Sequence, residues 1–539
     1  MKEKNFNLLE EPWIRVLMPD CTVREVSLTD ALLHAQEYVD LAGELPTQDV
    51  AVLRLLLAVL QTVFSQVDVE GQPAPFDSAD DALLRWNSLW QLGRFPEKPV
   101  CSYLTKWRER FWLFHPERPF WQVPEAKIGS PYDAPKLNGE ISESSNKLRL
   151  FAAYSGTGKA EMTYAQAARW LLHINGYDDT SAKPKDKAKG LPSMTVGWVG
   201  QLGLIMAQGQ NLFETLMLNL VFLKNGESLW GEQRPCWELE KARSGERTEI
   251  PQPDNAAQLL TLQSRRLLLH RENDGRVTGY SLLGGDFFDK ENAFCEQMTV
   301  WGSVKVKKSA PVTSQPLCHD PSRQFWREFP SVFTQQPNTR QPGIVRWLTR
   351  LQSGGLLDTK KMIQFKIAGL KYNSSSAHVV TDTFSDSLSF HALLLDELGQ
   401  MWRNKITEEI GCCEKLAVCL YDLAKDLAVA AGGDSKSVSN AAAQQFYFQI
   451  DQPFRDWLYT IDPDWDDEKS EQNVRDWQAK AKQIARRLGE QLALSAGNAA
   501  FIGRSITKSG KRKSEKKIHY SAPEAYNHFL FQIKKIYAE

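Results

Sequence analysis

Seven basic residues, Arg504, Lys508, Lys511, Arg512, Lys513, Lys516 and Lys517, crowd into one short span against a lone Glu515. Side chains of this kind neutralise phosphates without reading sequence, and each contact makes affinity fall as salt rises. The span reads as a phosphate track for a displaced single strand or a flanking duplex, with a solvated connector as its rival. Two further clusters carry the same chemistry. Lys183, Lys185, Lys187 and Lys189 alternate in a segment suited to a flexible loop, where plain solvation is the competing account. In Lys305-Val306-Lys307-Lys308, strand-like alternation puts Lys305 and Lys307 on one face. Lysines guarding an exposed strand edge would look the same. Reading a base sequence needs different groups. The polar turn Gly369-Leu370-Lys371-Tyr372-Asn373-Ser374-Ser375-Ser376 offers small and amide side chains that can probe the degenerate minor groove or unstack a base pair. A plain Ser-rich hairpin loop is the alternative.

Catalysis is poorly supplied. His115, His319 and Asp320 are acid–base types, but no nucleophile motif or metal constellation accompanies them, which marks the histidines as structural. Gly156-x-Gly158-Lys159 lacks the rest of a phosphate loop, because Ala160 follows the lysine where Ser or Thr is required. The eight cysteines form no C-x-x-C pair and have no histidines at ligand spacing. They read as reduced thiols of a cytoplasmic protein, with no metal and no cofactor.

The elements that must position these groups divide into a mixed part and a helical part. Residues 6–16 and 21–28 read as a hairpin around Met18-Pro19-Asp20, followed by helices near 27–38, 47–66, 78–95 and 99–114. Residues 125–160, rich in Ser, Asn, Gly and Lys, read as loop. A helix over 161–174 is expected to stop at Asn175-Gly176, another covers 214–223, and residues 255–310 alternate as strands. A strand over 363–367 leads into the polar turn. After about residue 384 the spacing becomes helical, over 386–407, 412–431, 436–460, 469–495 and 522–537, with the basic span as a loop between the last two. The expected fold is α+β: a large mixed N-terminal domain, 1–383, followed by a C-terminal four-helix-type bundle, 384–539.

A chain of 539 residues exceeds one ordinary core, and 42% hydrophobic with 24% charged residues describes a soluble globular protein. The opening Met1-Lys2-Glu3-Lys4 does not read as a signal peptide. The apolar stretch 50–60, broken by Arg54, reads as a buried helix and not as a membrane span. The formal net charge of -1 is unusual for a protein that holds DNA alone. Either basic groups are concentrated in loops, or partner subunits carry most phosphate contacts.

Four blocks occur in a telling order. They are Phe6-Asn7-Leu8-Leu9-Glu10-Glu11-Pro12-Trp13-Ile14-Arg15-Val16, then His115-Pro116-Glu117-Arg118-Pro119-Phe120-Trp121-Gln122. Leu260-Thr261-Leu262-Gln263-Ser264-Arg265-Arg266 and Gln445-Phe446-Tyr447-Phe448-Gln449 with Phe454 follow. Together they resemble the CasA family, the large subunits of the type I-E CRISPR Cascade, an RNA-guided DNA surveillance complex; Leu262 stands where the family has Trp. The resemblance implies a non-catalytic subunit that recognises the protospacer-adjacent motif (PAM) of double-stranded target DNA, promotes strand opening for guide-RNA pairing and helps recruit a helicase–nuclease. Asn373 matches the family's amide turn, with Lys371, Ser374 and Ser375 around it; Ser374 stands where Gln is usual, so the wedge is Asn373 itself or is shorter. The resemblance also puts the loop of Lys183, Lys185, Lys187 and Lys189 near the PAM, its lysines partly replacing glycines. One of Lys305, Lys307 and Lys308 would enter the minor groove. Phe151, with Ala152 and Ala153, would anchor the subunit to the guide RNA's 5′ end and to neighbouring subunits. The implied partners are the other Cascade subunits, guide RNA, target DNA and the helicase–nuclease, with no membrane. The rival classes are an intracellular nuclease or hydrolase using His115 and His319, and a purely structural scaffold.

Overall fold

Proline opens a long apolar helix, Pro46–Phe64, where its missing N–H falls among donors that have no helical partner anyway. Residues 50–60 lie inside it as expected, and nearly all of its side chains are buried, the signature of a core helix. Its length and composition would suffice to cross a membrane, yet 94% of its apolar window is buried within the protein. Arg54, inside it, is 2% exposed and pairs with Glu296 at 3.1 Å. The structure is a computed structural model and describes residues 4–143, 154–179, 191, 194–240, 244–272, 275–289, 294–304, 313–333, 340–358, 360–373, 379–395, 399–462, 465–509 and 515–537.

The chain packs as two compact units, Met1–Arg323 with Ser331–Asp358 and Ile363–Ser387, and Gln324–Pro330 with Thr359–Met362 and Leu388–Glu539. In the first unit, Ile14–Leu17 and Val23–Val26 pair antiparallel as the expected hairpin, while Asn5–Asn7 leaves it to pair with Trp112–Phe114. The helix expected over 99–114 therefore ends early, as Glu97–Lys106, and the aromatic residues after it continue as a strand. Bulky aromatic side chains pack better on a pleated surface than around a helix. Ser78 forms a capping box with Asp81 and starts the helix Ala79–Leu92.

Residues 125–160 are not all loop. Ser130–Asp133 is a strand paired with Val277–Gly284, and the short helices Ala134–Leu137 and Thr157–Ala160 lie in the same stretch. Asn175-Gly176 does not stop its helix, which runs Tyr164–Tyr177 from a Thr163 capping box. Asn175 is buried and its amide donates to the Arg265 carbonyl at 3.1 Å, so its polarity serves packing between elements, not capping. The helix expected over 214–223 is Leu212–Asn219, capped by Asn211. Within 255–310 a short helix, Ala256–Leu260, precedes the strands Arg265–Arg271, Val277–Gly284 and Trp301–Val304. The strand expected over 363–367 is longer, Met362–Tyr372, and forms a sheet with Val380–His391 and Met206–Gln208. Gly369 thus lies in a strand and not in the turn, where a Cβ would stand 2.7 Å from the Phe384 ring.

The second unit is built on the helices Gln400–Ala431, Ser435–Thr460, Asp467–Ser495 and Ala522–Ile536. The two helices expected over 386–407 and 412–431 are replaced by one, because Gly411 is accommodated inside it and the residues before 392 belong to the strand Val380–His391. Buried Ile406, Ile410, Cys413, Leu416, Leu420, Leu423 and Leu427 recur every three or four residues along its inner face. Trp457 and Trp477 stack at 5.1 Å, with Phe454 edge-on to Trp477 at 5.2 Å. The basic span expected as a loop is a β-hairpin, Arg504–Ser509 paired with Glu515–Tyr520.

Candidate nucleic-acid interface

The lysine segment 183–189 lies outside the described residues, but both of its flanks are held firmly. Asp178 and Asp179 follow the helix Tyr164–Tyr177 directly. The Arg265 guanidinium donates to Asp178 at 2.6 Å and to the Thr195 carbonyl at 2.7 Å, so one buried side chain ties the chain entering the segment to the chain leaving it. Lys136 pairs with Asp179, and the Gly197 amide donates to the Asp178 carbonyl at 3.0 Å. Ser264 adds a hydroxyl that donates to the Asn175 carbonyl at 2.5 Å and accepts from the Trp198 amide at 3.2 Å. The Gln263-Ser264-Arg265-Arg266 block is thus the clamp beneath this segment.

The polar turn, expected from Gly369, begins four residues later, at Asn373, because the strand Met362–Tyr372 takes up its first part. Its amide donates to the Val379 carbonyl at 2.9 Å, and its side-chain oxygen accepts from the Val379 amide at 3.0 Å. Asn373 therefore closes the mouth of the turn, whereas Ser374 and Ser375 lie outside the described residues. Lys371 is exposed, and together with hydrogen bonds from Ser322, which dominate, it holds the Asp320 carboxyl below its usual range. Between them Tyr372 points inward. Its hydroxyl donates to the Tyr177 carbonyl at 2.7 Å, at the foot of the lysine segment. Burial first, then Tyr177, Asp179 and Asp178, raises its pKa well above the ordinary value, so it stays a donor. A Cβ at Gly200 would stand 2.4 Å from that hydroxyl, which explains the glycine there.

A second lysine segment starts from the same place. Lys305, Lys307 and Lys308 lie outside the described residues, between Trp301–Val304 and Thr313–Pro316, which pair antiparallel. The chain leaving this hairpin puts the Cys318 thiol 3.7 Å from the Gly200 carbonyl and the His319 Nε2 3.0 Å from the Leu204 carbonyl. The structure therefore gathers the feet of three predicted DNA-contacting segments around Tyr177, Gly200, Cys318 and Tyr372.

The remaining candidates are spread more widely. Phe151, Ala152 and Ala153 lie outside the described residues; the flanks of their segment are joined by Tyr154 to Glu140 at 2.8 Å and by Lys159 to Glu143 at 2.5 Å. That ion pair engages the only lysine of the Gly156-x-Gly158-Lys159 piece, which leaves no phosphate cradle there. In the second unit, register sets Arg504 opposite Tyr520 and Lys508 opposite Lys516, while Lys511, Arg512 and Lys513 lie outside the described residues. Arg504 approaches Gly432, the left-handed residue that caps Gln400–Ala431, where the helix dipole favours a cation. His115 accepts the Glu117 and Arg118 amides on Nδ1, at 3.1 and 2.9 Å, and burial lowers its pKa. It and His319 hold turns. Among the described residues no group of His, Cys, Asp or Glu is placed to hold a metal.

Sequence reasoning missed the anchors Lys136, Asp178, Asp179, Arg265, Tyr177 and Tyr372. Arg265 lay inside one of the four ordered blocks and Tyr372 inside the polar turn, neither with this role, and the other four carried no signal.

Comparison with known proteins bears on this arrangement. The sequence model of one family, described as CRISPR-associated protein Cse1, matches residues 7–488. A CasA/Cse1 protein of Thermus thermophilus is 32% identical over 340 residues, 62% of this chain, and the match spans 61% of that relative's length. The crystal structure of Thermobifida fusca Cse1 matches with a TM-score of 0.83 at 29% identity, covering 98% of each chain. A chain of a CRISPR RNA-guided surveillance complex shares the fold, with a TM-score of 0.72 at 15% identity over 98% of this chain and 100% of that one.

Proposed function

Because this chain belongs to the CRISPR-associated protein Cse1 family, we propose that it is the large, non-catalytic subunit of a type I-E RNA-guided surveillance complex and reads the PAM of double-stranded target DNA. The observation that carries this reading is the junction at Tyr372, from which a lysine segment, a polar turn and a second lysine segment all depart. Lysines around a polar turn suit a duplex held by its phosphates while the turn tests the minor groove. A wedge at residues 373–375 would unstack the first pair and let the guide pair with the target strand. Phe151 and its neighbours would stack on the guide's unpaired 5′ end. The basic hairpin of the second unit would track the displaced strand, and docking of the helicase–nuclease completes the role. Phosphate contacts from partner subunits fit the near-neutral net charge.

The test is duplex binding by the guide-loaded complex with and without this chain, across a library of flanking trinucleotides at two salt concentrations. The expected result is flank-dependent binding that disappears without the chain. Equal binding across all flanks would leave a scaffold as the better account.

A further inference from the structure

Beside the lysine clamp lies a cavity of about 390 Å³, within the roughly 300–1,000 Å³ range of small-ligand sites. Its walls are flat and aromatic. Trp198 and Phe288, 5% and 7% exposed, touch at 4.6 Å between ring centres, and the Arg247 guanidinium lies 4.0 Å over the Phe287 ring. Exposed carboxylates of Glu249 and Asp289 also line it. The deeper cation, Arg265, is already paired with Asp178, so the described residues present no converging positive cluster here of the kind a bare phosphate needs.

We propose that this cavity receives one unstacked nucleobase carrying an exocyclic amino group, adenine, cytosine or guanine, from the nucleic acid held beside it. Aromatic rings and a guanidinium plane are the surfaces on which splayed-out bases stack. Carboxylates accept hydrogen bonds from exocyclic amino groups, as Asp and Glu do with the cytosine N4 amine, and offer nothing to the carbonyl edge of uracil or thymine. A lone ammonium or guanidinium would rattle in so wide a space. Position argues the same way, because Thr195 and Val196 in the wall follow the lysine segment in the chain. The proposal rests on the reading of the chain as a nucleic-acid-binding subunit and adds a base-specific pocket to it. The base can come from the target DNA or from the guide RNA, since both present the same chemistry.

The experiment is photocrosslinking of the guide-loaded complex containing the full chain. 5-Iodocytosine, 8-bromoadenine or 8-bromoguanine is placed at each flanking position of either DNA strand, and in a second arm at each unpaired guide nucleotide. Crosslinked peptides are mapped by mass spectrometry. The expected result is one position, in one arm, whose crosslink maps to Trp198, Phe287 or Phe288. Replacing 5-iodocytosine by 5-iodouracil there should lower the yield about tenfold, the loss expected when the hydrogen bond to a charged acceptor is missing and the stacking is kept. Phe287→Leu should lower it similarly at an unchanged melting temperature, and Asp289→Asn should erase the preference over uracil. Crosslinks that map only outside the cavity, or equal yields with uracil, overturn the proposal. Flank-dependent binding on the same samples separates the two levels. If it persists without a cavity crosslink, only the pocket falls; if it is absent, the reading beneath it falls too.

Discussion

Tyr372→Phe removes one hydroxyl and changes no charge, yet it cuts the bond that joins the polar turn to the foot of the lysine segment. That bond is a partly buried 2.7 Å hydrogen bond to the carbonyl of the buried residue Tyr177 in the last turn of its helix. A typical internal hydrogen bond contributes about 1 kcal/mol net, and leaving a buried carbonyl without its donor raises the cost towards about 2 kcal/mol. Urea unfolding of the isolated chain should register that loss. If the bond also fixes the distance between turn and lysine segment, discrimination among flanks falls by about tenfold in the assembled complex, since 1.4 kcal/mol is a factor of ten. The salt slope should not change, because every phosphate-facing lysine remains in place. Gly200→Ala attacks the same junction from the other side by crowding the hydroxyl from 2.4 Å. The double variant should lose less than the sum of the two, as neighbours acting on one bond do. A stability loss of the expected size with unchanged flank discrimination would refute the reasoning and reduce the junction to packing.

Three further outcomes follow from the same geometry. Arg265→Ala strands the buried Asp178 carboxylate and should cost about 3–5 kcal/mol in chemical denaturation, partly recovered in the Arg265→Met, Asp178→Asn double variant. Replacing Lys183, Lys185, Lys187 and Lys189 by Ala should lower the slope of log affinity against log salt by about 0.9 for each phosphate no longer neutralised, measured by titration at several salt concentrations, with flank preference retained. His173, buried beside Thr47 and held neutral by desolvation, has its pKa lowered to about 3. A folded pKa below the unfolded one leaves the stability intact above the unfolded value of roughly 6.5 and removes it as pH falls towards the folded one. The loss at pH 5 should be about 2 kcal/mol, 1.5 units at 1.36 kcal/mol each. His173→Asn should flatten that part of the stability curve between pH 7 and 5.

Local signals were legible where one element satisfies itself. The apolar run 50–60, the helix beginning near residue 78 and the helical spacing of the second unit need no distant partner to be recognised. Signals failed where a distant partner decides. Ser130–Asp133 contains a proline and reads as loop, but at the edge of a sheet proline is tolerated, and its partner strand lies far along the chain. Asn175-Gly176 has the chemistry of a helix stop, and tertiary packing against Arg265 and Val199 uses it otherwise. In the basic hairpin, the lysines that announce a solvated loop hide the alternation that makes a strand. At the candidate interface the sequence offered the right kind of residue but not its support. A buried aspartate such as Asp178 looks like any surface acid until its arginine, distant in sequence, is found beside it.

That last point reaches the net charge. Arg54–Glu296, Lys136–Asp179, Arg265–Asp178 and Arg266–Asp286 are ion pairs whose members are all buried in the first unit. Each cancels internally, so these basic residues are unavailable to phosphates while the net charge of the remaining groups stays at -1, and the field outside is set by where those groups sit. Buried pairs of this kind are poor sources of stability, because desolvation offsets most of their attraction. What they do supply is a fixed arrangement, since breaking one strands a charge in the core. Two of them, Lys136–Asp179 and Arg265–Asp178, sit where the lysine segment leaves the core. A reader of DNA flanks needs that combination. Lysines that adapt to a backbone give affinity without sequence, so any discrimination must come from the position in which the turn is held relative to them. Rigid feet under the lysine segments convert a small difference at one base step into a difference in binding, and loosening the feet should cost discrimination before it costs affinity.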